Sequence, residues 1–334
     1  MSTIETTPQA AGTDATARRL KFVQRVQRQG ALAVLVVLCL VATFQFDTFA
    51  TGANIRSIGL QASFLAVIAL GMTFVIFTGG IDLSVGSVFA LGGVLAAWAA
   101  QEYNTLAAVL VPLVVCGAIG LVQGLVIAYG KLAPFIVTLA GLLFARGLLL
   151  FISDEGATVN KVPADSAFRH LAQGSLLGIP YPIWIVVVFF GIGALVLHRT
   201  SFGPTVLAIG GQEDAADLMG LPVARTKVIT YTASGLLAGF AGVLIASYTS
   251  SGVAIIGVGT ELQAISAVVL GGTLLAGGAG TIFGTLVGVL LLQVIANVIN
   301  QVGSLNSNWQ DLVSGGILLA VVVLQRYLAG TVRR

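Results

Sequence analysis

TFVIFTGGIDLSVGSVFAL, residues 73–91, is an apolar run that stops at two glycines, meets one carboxylate at Asp82, and then resumes. On either side the apolar stretch continues to roughly 20 residues, the helical length that crosses a 30 Å hydrocarbon core. The same pattern recurs along all 334 residues: 57% are hydrophobic, 9% are charged, and the mean hydropathy is +1.01. That composition excludes a soluble protein and predicts an all-α polytopic membrane bundle of about ten transmembrane helices. The 42 glycines fit such a bundle, because small residues let helices approach where lipid supplies no hydrophobic drive. TGGIDLS itself (78–84) admits two readings. It is a tight turn between two complete spans, or a helix broken inside the bundle. The absence of Lys and Arg from it favours the break, with Asp82 or Ser84 capping the next helix and Asp82 pairing with Arg146.

The candidate spans fall at about 30–47, 56–77, 82–100, 105–129, 133–152, 180–198, 226–249, 261–276, 280–300 and 308–326. Counting Lys and Arg near span ends tests this series. With the N-terminus in the cytoplasm, the inner side collects Arg18, Arg19, Lys21, Arg25, Arg28, Lys131, Arg199, Arg225, Lys227, Arg326, Arg333 and Arg334, and the outer side only Arg56, Lys161 and Arg169. Both termini are therefore expected in the cytoplasm, and the first run is read as a retained span, since the run from Ala31 to Phe46 closes on QFD (45–47) instead of a small-residue cleavage site. The basic pI of about 9.0 is explained by orientation and not by nucleic acid. The external loop, 153–182, is polar and punctuated by Gly and Pro; it is either a docking surface for a soluble partner or a plain connector.

Several chemistries are absent. There is no GxxxxGK[ST] phosphate loop, no HExxH and no Cys/His cluster; catalytic and metal-binding residues are assigned as none, and Cys39 and Cys116 are packing residues inside apolar runs. Gln61, Gln123, Gln293 and Asn297 are amides, suited to bonds between helices and not to acid, base or nucleophile. A proton- or sodium-coupled transporter, the rival class, generally leaves several ionisable groups within its bundle. Apart from Arg146 and Asp82 the spans offer almost none.

GGQEDAADLMGLP, residues 210–222, sets three carboxylates within five positions between two apolar runs. Glu213 and Asp214 suit a helix N-terminus, Gly220 suits the position after its last turn, and Pro222 stops continuation. Ala215, Ala216, Leu218 and Met219 supply apolar surface that a free loop does not need. The segment is expected to be a short cytoplasmic helix that docks into a partner; flat adsorption to anionic headgroups is opposed by its own charge.

GMTFVIFTGGIDLSVGSVFAL (71–91), KLAPFIVTLAGLLFARGL (131–148), AIGGQEDAADLMGLPVARTKVITYTASGLLAGFAGVL (208–244) and ELQAISAVVLGGTLLAGGAGTIFGTLVGVLL (261–291) together resemble, in order and through nearly the whole chain, the permease subunits of bacterial ABC importers for monosaccharides. Within that family SDEGATVN, HRTSFGPTVLAIGG and LNSNWQDL look most like permeases of galactofuranose importers, whose subgroup also carries fructose and ribose. The resemblance implies a cytoplasmic tail over 1–29, a single transmembrane permease domain over 30–328 that includes the coupling segment 199–226, and a cytoplasmic end over 329–334. It implies a coupling helix at Gln212, Glu213, Asp214, Asp217, Leu218, Met219 and Gly220, seated on a partner ATPase that binds ATP and Mg; this chain binds no cofactor. A second permease, a paralogue, and an external sugar-binding protein complete the expected assembly. Candidate pathway or gate residues are Gln61, Thr78, Asp82, Ser84, Gln293 and Asn297. The double-glycine runs in the two halves, beginning on opposite faces, further suggest an inverted repeat.

Overall fold

Arg56 is the only charged residue between Gly52 and Phe77, and the 26 residues there form one helix, started by Thr51, whose hydroxyl accepts from Asn54 N. The computed structural model describes residues 30–303 and 308–332; the basic tail over 1–29, Arg333 and Arg334 lie outside them. The described helices are α1 (Gly30–Gln45), α2 (Gly52–Phe77), α3 (Val85–Glu102), α4 (Thr105–Gly130), α5 (Pro134–Ile152), α6 (His170–Gln173), α7 (Tyr181–Arg199), α8 (Phe202–Gly211), α9 (Glu213–Leu218), α10 (Val223–Thr249), α11 (Thr260–Leu270), α12 (Ile282–Val302) and α13 (Asn308–Val332). By length and composition, seven of them (α2, α3, α4, α5, α7, α10 and α12) are able to cross a membrane.

The bundle has two distinct ends. At one, Lys131, Glu213 and Lys227 share a cleft; at the other, Arg56 lies beside Gly178, and the bond from Val162 N to Ser250 O joins the 153–180 segment to the end of α10. Among the described residues Lys131 and Lys227 thus lie apart from Arg56. Between the ends α10 packs on α2, α3 and α4. A Cβ on Gly92 would overlap the backbone of Gly239, and one on Gly235 would overlap Cys116 O, so the glycines do set backbone-to-backbone packing. Phe64 and Tyr248 meet at 5.7 Å between ring centroids near one end, and Tyr231 meets Gly80 near the other. α2 and α10 are therefore antiparallel.

One expected span is corrected and three segments are refined. The span expected over 261–276 is an 11-residue helix, α11, about 16 Å long at 1.5 Å per residue and able to reach only halfway. Gly271, Gly272, Gly277 and Gly278 end it in turns, three of them with positive φ. The helix expected from 82 begins at Val85 instead. The segment over 199–226 holds an additional helix, α8, separated from α9 by Gln212 alone. The loop over 153–182 is no plain connector: it forms a 3-10 turn at Ala167–Arg169, α6, and a two-stranded hairpin, β1 (Ser175–Leu176) with β2 (Ile179–Pro180). Phe168 is fully buried, and Ser247 Oγ donates to its carbonyl at 2.7 Å.

Candidate functional site

The acidic segment at 210–222 is built from local rules. Glu213 and Asp214 occupy the first turn of α9. At its end Leu221 N donates to Ala216 O at 3.1 Å and Gly220 N to Asp217 O at 2.8 Å, with Gly220 at φ +77. This pair of bonds is a Schellman ending, which requires a left-handed residue where Gly220 stands. Gln212 makes no side-chain cap bond; its carbonyl accepts from Ala216 N. Ala216 is fully buried, while Leu218 is 90% and Met219 69% exposed. Lys227 Nζ pairs with Glu213 Oε1 at 2.6 Å, the Glu213 side chain being half-exposed. Glu213→Gln is accordingly expected to lower stability by less than about 1 kcal/mol, measured as thermal unfolding in detergent.

Asp82 lies deep in the bundle, 1% exposed, and the predicted pairing with Arg146 is not formed. Its Oδ1 accepts from Ser84 N at 2.9 Å and Ser84 Oγ at 2.6 Å, and its Oδ2 accepts from Ser234 Oγ of α10 at 2.7 Å. The side chain thus closes an Asx turn just before α3 and ties that turn to α10. Ser84 occupies the cap position but makes no cap bond, because its hydroxyl is spent on Asp82 and lies 3.3 Å from Gln123 Oε1. Arg146 Nη1 instead donates to Ala254 O at 2.9 Å and interacts electrostatically with Glu261. The hydroxyls of Ser84, two residues on in the turn, and Ser234, on α10, take the acceptor positions of Asp82.

The buried turn between α2 and α3 is matched by a second inward-returning segment. After α10 the chain is non-helical over 250–259 and returns inward, so that a Cβ on Gly86 would overlap both Gly257 O and the Glu261 carboxylate. The N-termini of α3 and α11 therefore meet inside the bundle and point in opposite directions. Two positive helix ends converge there, and Asp82 and Glu261 stand at them. At TGGIDLS the chain reverses between two helices that are each long enough to cross, so the segment is a turn and not a break within one helix, with Asp82 and Ser84 buried in it. Glu261 was not picked out from sequence; a lone carboxylate opening an otherwise uncharged apolar run was the available signal.

The six pathway candidates separate into two groups. Thr78 ends α2, its Oγ1 donating back to Val75 O, and with Asp82 and Ser84 it belongs to the turn between α2 and α3. Gln61, Gln293 and Asn297 come together across α2 and α12; Asn297 and Asn54 exchange amide hydrogen bonds of 2.8 and 3.1 Å, and Gln61 Nε2 donates to Ser57 Oγ. Gln61 and Gln293 also line a 420 Å³ groove with Gln263, Thr260, Tyr248 and Phe89. The groove carries amides, hydroxyls and aromatic faces and no charged side chain. Gln263 and Tyr248, not identified from sequence, reach it through α11 and the end of α10. Among the described residues no group of His, Cys, Asp and Glu is placed to hold a metal ion.

Residues 54–322 match the family model described as branched-chain amino acid transport system / permease component. Relatives include the ribose import permease protein of Escherichia coli K12, 40% identical over 90% of this chain and 93% of its own length. An inner membrane ABC transporter permease protein of the same strain is 42% identical over 89% and 91%. Its L-arabinose transport system permease protein is 39% identical over 98% of both chains.

Proposed function

The chain belongs to the branched-chain amino acid transport system / permease component family, among its sugar ABC importer permeases, and on that premise we propose that it is the multi-pass inner-membrane subunit through which an ATP-driven importer admits a neutral monosaccharide. The observation that carries the reading is α9: a rigidly ended helix holding Leu218 and Met219 out into solvent is a surface made to be covered. A partner ATPase, binding ATP and Mg, covers it from the cytoplasm. On this reading both termini are cytoplasmic, and the folded 153–180 segment faces an external binding protein that delivers the sugar. A second, paralogous permease completes the translocation unit.

The uncharged groove supports a polyhydroxylated, neutral cargo, because amides bond hydroxyls and aromatic faces cover sugar rings without a fixed charge. Furanose-form sugars lead: galactofuranose, then fructose and ribose. Affinity purification in mild detergent is expected to recover an ATPase and a second permease with this chain. In a deletion strain, uptake of galactofuranose, fructose, ribose and xylose is measured separately, and one furanose-forming sugar is expected to be lost. Loss of amino-acid or metal uptake in place of sugar uptake would overturn the reading.

A further inference from the structure

α11 stands between the uncharged groove and the α9 end of the bundle. The groove runs from Tyr248, on the last turn of α10, down to Thr260 and Gln263 on the first turn of α11. Gln61 lies nine residues into α2 and Gln293 nine residues before the end of α12, and Thr48 Oγ1, just before α2, donates to Gln301 Oε1 near that end. Both glutamines therefore sit about 14 Å below the Arg56 end, near the middle of a hydrocarbon layer about 30 Å thick. Among the described residues the side chains of Gln263 and Gln293 have no hydrogen-bond partner, and Gln61 bonds only Ser57 Oγ. Gln61 is exposed, and Gln263 and Gln293 are half-buried, so their amides are open to whatever fills the groove. Free amides at that depth are costly against lipid; water or a hydroxylated solute satisfies them.

Two of the three amides are held still and the third is not. α12 is tied to α2 by the bond between Thr73 Oγ1 and Thr285 Oγ1 at 2.8 Å and by the Asn54–Asn297 pair. α11 has no side-chain hydrogen bond to another helix among the described residues; the bond from Ser266 Oγ to Leu262 O is its own. Glycines with positive φ flank it, Gly257 and Gly259 before it and Gly272, Gly277 and Gly278 after it. Such positions absorb a change of backbone angle at little cost. The turn beyond α11 reaches α8: Gly278 N donates to Phe77 O at 3.1 Å, and a Cβ on Gly278 would overlap Gly211 N. Because Gln212 alone separates α8 from α9, a push on α9 arrives at that turn within a few residues. α11 carries it about 10 Å further, to Gln263.

We propose that Gln61, Gln263 and Gln293 form the hydroxyl-binding wall for the passing sugar, and that α11 is a lever, driven from α8, which withdraws Gln263 from that wall. Gln61 and Gln293 stay with the α2–α12 pair while Gln263 moves with α11. Binding of ATP by the partner thereby removes one amide from the sugar and shifts the half-span that closes the groove from below. The permease contributes its own contact to selection among neutral sugars and is not an unselective channel. The proposal rests on the import reading above.

The test is thiol labelling of the complex purified with its ATPase, by a membrane-impermeant methanethiosulfonate reagent, for the single variants Gln61→Cys, Gln263→Cys and Gln293→Cys. The unsubstituted chain, with Cys116 buried and Cys39 half-buried, gives the background rate. The rate at Gln263→Cys is expected to change by about threefold or more between the nucleotide-free complex and the complex with Mg and adenylyl imidodiphosphate, while Gln61→Cys and Gln293→Cys change little. In cells Gln263→Leu is expected to raise the KM for uptake about fivefold, the sugar being whichever of galactofuranose, fructose, ribose and xylose the deletion strain fails to take up. A rate at Gln263→Cys that the nucleotide leaves unchanged, a parallel change at all three positions, or an unaltered KM in Gln263→Leu overturns the proposal. If no ATPase accompanies the chain, the import reading fails first and this proposal with it, a result read before any label is added.

Discussion

Leu218→Asp is expected to leave the protein folded in the membrane and to abolish coupled uptake, with ATP turnover by the proposed partner no longer responding to sugar. Leu218 is 90% exposed, so the fold itself loses little by the change; surface substitutions of this kind usually move stability by no more than about 0.5 kcal/mol. The docked state is different. An apolar side chain seated in a partner's groove becomes a carboxylate without a partner, and burying even a neutral polar group unpaired costs roughly 2–7 kcal/mol. That is enough to break a contact made by a six-residue helix. Met219→Asp, on the same exposed turn, is expected to act alike. The measurements are uptake in cells and ATP hydrolysis in proteoliposomes; normal values of both would remove α9 from the transmission of force.

The second large effect is expected at Asp82, where the two substitutions that remove its charge should part company. Asp82→Asn keeps an acceptor for Ser84 N, and its new amide donor faces Ser234 Oγ, which has lone pairs to receive it. Most of the fold and much of the transport are expected to survive. Asp82→Leu leaves Ser84 N and Ser234 Oγ unpaired in the bundle, each at about 1–3 kcal/mol, and unties α10 from the start of α3. Since α10 follows α9 directly, with only the turn at 219–222 between them, the loss falls on the element that would carry motion inward from the coupling helix. The yield of monodisperse protein after detergent extraction and the uptake rate read the two consequences separately. Indistinguishable behaviour of the Asn and Leu variants would show that Asp82 holds nothing together.

The short acidic helix α9 was legible because everything that makes it is local. Glu213 and Asp214 at one end, Gly220 and Pro222 at the other, and the bonds from Gly220 and Leu221 that close it span no more than five residues. α8 was not, since FGPTVLAIGG merely extends the apolar pattern before it; its place is set by Gly210, whose Cα packs so close to Phe77 O and Gly278 N that a Cβ would overlap both. Arg146 was assigned to Asp82 because they were the two conspicuous charges in apolar runs. The nearer groups turned out to be hydroxyls of Ser84 and Ser234, which carry no charge to advertise them.

By itself the sequence determined the solvent, the helical class, the positions of most spans and the placing of Lys131 and Lys227 apart from Arg56. These follow from free energies each segment carries alone: transfer of an apolar run into hydrocarbon, the internal pairing of its backbone, and the placing of cations at its ends. Only the tertiary structure decided that 260–270 is half a span, that the starts of α3 and α11 meet at Gly86 and Gly257, and that Gln61, Gln263 and Gln293 share one groove. Each depends on which backbone comes to lie beside which across long stretches of chain, and in a bundle where glycine lets almost any pair of helices approach, the local pattern does not specify that choice; mutual packing does.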